Sequence, residues 1–232
     1  MTGWSDVLKS AKILIDDVRW DTELATNPAR FYRAKSDYVS LALPLLNRPP
    51  NLQSSIKKGM ILPQGADFRW VSTEESTAAS VTVETGLTGF EIYSAVIIGD
   101  GGVSATPYTD LSYNAETGEL AFGVQAQAGT VYEINFYTDG QFADLSDTQM
   151  RLFALAVAVV WDERFDNNWL NNQMKIHDSS FSTANEGSYA EKISQRRERN
   201  RAAFTEELKQ YEQNVAYLSR VPQGKWFTRL QG

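Results

Sequence analysis

Cysteine is absent from the 232 residues, and His177 is the only histidine. Disulfides, thiolate metal sites and cysteine nucleophiles are therefore excluded, so the fold must rest on packing. A Ser-His-Asp triad or a two-histidine metal site would have to be built around one imidazole, which argues against most zinc, haem and non-haem iron chemistry. Long apolar runs are missing too. The longest, Phe153 to Trp161, is far short of the ~20 residues a membrane helix requires. Between Met1 and Arg19, Lys9, Lys12, Asp16 and Asp17 interrupt any apolar stretch, so no secretion signal is expected. Base is scarce relative to acid, with 22 Lys+Arg against 29 Asp+Glu and a formal net charge of -7. Such a chain is a poor general binder of phosphate backbones, which demand a basic face.

What is present falls into three stretches. Trp4, Val7, Leu8, Ala11, Leu14, Ile15 and Val18 recur at three- and four-residue steps and predict a helix, with Ser5 as its cap. After a loop over Trp20 to Thr26, Asn27-Pro28 reads as an N-cap followed by proline at the first helical position. That second helix is expected to reach about Leu46 and to be terminated by Arg48-Pro49-Pro50. From about Ile61 the period changes to two. Phe68–Ser72, Ser80–Val83, Phe90–Ile98 and Val131–Tyr137 are short, β-branched or aromatic, and bounded by glycine and proline. Leu111–Tyr113 and Leu120–Phe122 flank a turn at Asn114–Glu119 in which Gly118 supplies a positive φ.

The third stretch is helical again. Leu145-Ser146-Asp147 starts a helix whose section Met150 to Trp161 is apolar on nearly every side, as expected of a buried element. After a polar loop from His177 to Ser188, a charged helix is expected from about Tyr189 to Leu218. It carries a thin stripe of Ile193, Phe204, Leu208, Tyr211, Val215 and Leu218. The fold class is thus α+β: a helical bundle with a small antiparallel β-sandwich or barrel inserted into it. The expected parts are a helical hairpin over 1–60, the β module over 61–142, the long helices over 143–221 and an extended docking tail over 222–232. Trp226, Phe227 and Leu230 are that tail's docking candidates.

Each candidate for chemistry has a simpler structural reading. His177-Asp178-Ser179-Ser180 has no Gly-x-Ser-x-Gly elbow, and its place after a long helix suits a capping imidazole. Gly99-Asp100-Gly101-Gly102 lacks the helix N-terminus that a phosphate loop needs, and reads as a turn. Asp162 and Asp166 share a helix face and could form a hydrolytic pair, but a hydrated acidic face is the simpler account. Arg196, Arg197, Arg199 and Arg201 form the densest basic run. Opposed to Asp162, Glu163 and Asp166 of a neighbouring copy, they would make inter-subunit charge patches in a head-to-tail ring. No catalytic residue, cofactor or metal is expected.

A helical hairpin containing Asp16-Asp17-Val18-Arg19-Trp20-Asp21, then a β region, a long apolar helix and a long charged helix with an aromatic tail resembles the head-to-tail adaptors (connectors) of tailed bacteriophages. The stretch Tyr113 to Phe122, followed by Ala128 to Ile134, is similar to small sandwich modules of phage tail and neck proteins. The resemblance implies a structural virion protein of the neck, assembled in the host cytoplasm. It implies a homo-oligomeric, dodecameric ring whose partners are the portal protein and a tail tube or nozzle protein. DNA would pass through that ring without specific binding, and no membrane would be involved. The competing expectation is a glycan- or ligand-binding sandwich using Trp70, Tyr93, Tyr108 and Tyr113.

Overall fold

The computed structural model describes residues 1–15, 17–72, 81–99, 105–123, 129–173 and 184–220. The chain is α+β. Its helices are α1 (Trp4–Ile15), α2 (Val18–Thr26), α3 (Pro28–Ala42), α4 (Pro50–Lys57), α5 (Asp147–Gln173) and α6 (Ala184–Arg220). Between α4 and α5 lie β2 (Gln64–Val71), β3 (Val81–Glu84), β4 (Glu91–Ile98), β5 (Ala105–Pro107), β6 (Leu111–Asn114), β7 (Glu119–Phe122), β8 (Val131–Thr138) and β9 (Gln141–Phe142), while β1 (Thr2–Gly3) precedes α1.

Helix α5 is the axis of the bundle. Its section Leu152 to Val159 is buried throughout, because α1, α3 and α6 all pack on it. Ser146 starts it through a reciprocal cap: the Gln149 amide donates to Ser146 Oγ, and the Ser146 amide donates to Gln149 Oε1. Around Trp161, the rings of Trp20 and Tyr38 pack edge-on with centroids 5.1 Å away in each case. Lys35 Nζ lies 5.2 Å above the Trp161 ring and pairs with Glu23 at 2.9 Å.

Three local expectations are corrected. The stretch Trp20 to Thr26 belongs to a helix, not a loop. Asp17 caps it by accepting the Arg19 amide at 3.0 Å, and the polar run Asp21-Thr22-Glu23 lies between the core-facing Trp20 and Leu24, four residues apart. Pro50 begins α4 rather than ending α3, since proline at the first helical position loses no hydrogen bond, and Leu52 and Ile56 bury that helix's inner face. Helix α1 starts at Trp4, so Ser5 is not its cap. The Ser5 amide instead donates to Asp139 Oδ2 at 3.1 Å, and the pairing of β1 with β9 brings Asp139 there.

The β region is a two-sheet sandwich. One sheet has the order β2-β8-β4-β5, the other β3-β7-β6, and all neighbours are antiparallel. Alternation along β8 sends Tyr132, Ile134 and Phe136 inward against Leu120 and Phe122 of β7. At the β6–β7 turn, Asn114 Oδ1 accepts the Glu116 amide at 3.0 Å, and Gly118 has φ 76°. A side chain at Gly118 would strike the Leu87 carbonyl, so glycine is required twice over.

Asn27 joins the two halves. Its Oδ1 accepts the Arg30 amide at 2.9 Å as the cap of α3, and its Nδ2 donates to the Tyr93 carbonyl of β4 at 3.0 Å. One side chain thereby starts a helix and docks it on the sheet.

Candidate interaction surfaces

The acidic and basic runs meet inside the molecule. Asp162 on α5 is fully buried, and Arg196 on α6 approaches its Oδ1 with Nε at 2.9 Å and Nη2 at 2.8 Å. Asn200, one turn further along α6, donates from Nδ2 to Asp162 Oδ2 at 2.8 Å. The third guanidinium nitrogen, Nη1, donates to the Ile15 carbonyl at the C-terminal end of α1 at 2.9 Å. A buried carboxylate is tolerable only when paired and hydrogen-bonded, and both oxygens here are engaged. The cation also faces a free helix carbonyl, where positive charge is favoured. The group therefore ties α1, α5 and α6 together.

This corrects the reading of Asp162 and Arg196 as surface patches between subunits. They are spent within one chain, and Asp162 is not available as a hydrolytic acid either. Glu163 and Arg201 stand 4.0 Å apart with both side chains substantially exposed, a geometry worth little in water. Arg199 is exposed and Arg197 half-buried. The Asp166 side chain, His177, residues 100–102 of the glycine-rich turn, and the tail with Trp226, Phe227 and Leu230 lie outside the described residues. Asn200 escaped sequence reasoning. The available signal was its four-residue spacing from both Arg196 and Phe204, which places all three on the face that meets α5.

The aromatics considered for a glycan platform are mostly sandwich core. Trp70 stacks on Phe122 with centroids 4.6 Å apart, Tyr108 packs edge-on against Tyr132 at 5.2 Å, and Tyr113 lies 4.9 Å from Phe136. All three rings pack against the sandwich core. Tyr93 lies on β4 beside Asn27, where two adjoining grooves meet. One, of about 390 Å³, runs between α2 and α3; the other, of about 440 Å³, lies between α3 and β4–β5. Both are lined by Asn27 and Arg30. Among the described residues no group of three or more His, Asp or Glu side chains could hold a metal ion, and no helix is long and apolar enough to cross a membrane.

The exposed end of α6 is the other notable surface. Its apolar stripe follows four- and three-residue steps through Phe204, Leu208, Tyr211, Val215 and Leu218. Phe204, Leu208 and Tyr211 pack on the core, and Gln149 in the first turn of α5 donates to the Tyr211 hydroxyl at 3.3 Å. There α5 ends. Residues 213–219 are all exposed, and among them Tyr217 and Leu218 retain 69% and 67% of their accessible surface. Apolar side chains of this size normally mark a contact when they cluster on one projection. Compared with models of protein families, with curated proteins and with solved structures, the chain matches none.

Proposed function

We propose that the protein is a non-enzymatic head-to-tail adaptor of a tailed bacteriophage. In this reading, copies form a ring in the virion neck that joins the portal protein to a tail tube or nozzle protein and keeps the DNA channel continuous. The observation that carries the reading is α6. At 37 residues it extends about 55 Å, outruns the helix that supports it, and ends in the exposed apolar segment with Val215, Tyr217 and Leu218. A rigid arm with an uncovered apolar end suits insertion into a larger ring better than it suits catalysis. The Asp162–Arg196–Asn200 lock supports this, since it fixes the arm's direction relative to the bundle. The acidic balance suits a channel along which DNA slides without adhering.

Electron microscopy of the protein mixed with phage portal rings tests the proposal. A ring of this protein seated on the portal, with density for the end of α6 at the contact, is expected. Protein that stays apart from portal rings at all mixing ratios would overturn it.

A further inference from the structure

Among the described residues, strand β2 is the outermost strand of its sheet and pairs on one side only, with β8, in unbroken register from Gln64↔Thr138 to Val71↔Val131. One residue further, the Ser72 amide donates to the Thr130 carbonyl at 2.9 Å, and Ser72 accepts from Gly129 at 2.8 Å. Antiparallel ladders alternate, so the even-numbered residues of β2 bond inward to β8, while Gly65, Asp67, Arg69 and Val71 turn their N–H and C=O groups to the open edge. Long open edges are templates for another strand, and folded proteins usually block them with charged side chains, proline or a bulge. Between Gln64 and Val71 there is no proline, no bulge, and one charge of each sign. Asp67 and Arg69 are both exposed, and neither has an ion-pair partner among the described residues.

We infer that β2 is a homodimerisation edge, taking β2 of a second copy in antiparallel register about a two-fold axis at Phe68. In that register Asp67 faces Arg69 of the second copy on both sides of the axis, and small faces large: Gly65 opposite Val71, Ala66 opposite Trp70. The outward-facing backbone groups of Gly65, Asp67, Arg69 and Val71 all find partners, because each pairs with another edge-facing residue. Moving the axis to Asp67 or to Arg69 sets like charges directly opposite each other, which is destabilising. The half-buried Phe68 and Trp70 lie on the inner face, so pairing extends the aromatic core from one sandwich into the next. A single strand pair is a small interface, and the dimer is accordingly concentration-dependent. It is independent of the adaptor reading, since a two-fold contact closes at two copies whereas a ring needs a head-to-tail contact elsewhere on the surface.

Sedimentation equilibrium of the isolated full chain over a concentration series at low salt tests this. The wild type is expected to move from monomer to twice the monomer mass. Asp67→Arg and Arg69→Asp, each placing like charges opposite one another, remain monomeric alone, and their equimolar mixture recovers the dimer because the mixed pair is again complementary. Amide exchange on the wild type needs no variant: raising the concentration protects Gly65, Asp67, Arg69 and Val71 and leaves Phe68 as it was. A wild type that stays monomeric, a dimer that survives either single reversal, a mixture that stays monomeric, or edge amides that gain no protection would overturn the inference.

Discussion

The helical bundle and the β-sandwich are both filled with aromatic rings, yet among the described residues only the bundle buries a charge. The sandwich closes through ring contacts among Trp70, Phe122 and Tyr132 and between Phe136 and Tyr113, distributed over both sheets. In the bundle, α6 packs Phe204, Leu208 and Tyr211 on the core and adds the buried Asp162–Arg196 pair, whose charge must stay compensated. The sandwich should therefore tolerate loss of one side chain in proportion to the cavity left, whereas the bundle should fail sharply when half of its ion pair is removed.

The largest expected effect is at that pair. Arg196→Met leaves Asp162 buried without its cation and should cost about 3–5 kcal/mol in chemical denaturation. Joint replacement, Asp162→Leu with Arg196→Met, should recover most of that loss, because the uncompensated charge is gone. In the sandwich, Leu120→Ala should cost about 2–5 kcal/mol, graded by the cavity it opens. At the joint, Asn27→Ala removes the cap of α3 and its bond to Tyr93, and should lower stability by about 1–2 kcal/mol. Coincidence of denaturation transitions followed by a bundle probe and a sandwich probe then measures whether the two halves unfold together.

A smaller effect should follow pH. Burial raises the Tyr137 hydroxyl above its ordinary value near 10, and the neighbouring Asp139 adds to the shift. The folded chain thus keeps this proton at a pH where the unfolded chain has released it. Its contribution is complete below about pH 10 and is lost as the pH climbs above that value. Denaturation at rising alkaline pH should show the decline, and Tyr137→Phe should make it shallower. At the exposed end of α6, Leu218→Glu should change stability by less than about 0.5 kcal/mol, since the side chain is 67% exposed.

Elements with a strong period were legible in the residues. The apolar run of α5, the Asn27-Pro28 start of α3, the alternation of β8 and the Gly118 turn all follow from local chemistry that the structure retains. Short helices were not legible. Among the described side chains, helix α2 shows only Trp20 and Leu24 to the core and α4 only Leu52 and Ile56, too few residues for a period to emerge from polar neighbours. Barrel and sandwich are also indistinguishable from strand patterns, because the division into two sheets depends on which edges stay unpaired. The Asp162–Arg196 pair illustrates a different limit. Its members are 34 positions apart, and a charge run looks the same in sequence whether it faces water or a buried carboxylate.

In the proposed function, docking falls to the exposed end of α6 and not to the sandwich. Amide hydrogen exchange of the protein alone and in complex with portal rings tests that assignment most directly. Protection gained across residues 213–219, with β4 and β8 unchanged, is the predicted result. Protection confined to the sandwich, with residues 213–219 exchanging as in the free protein, would contradict it.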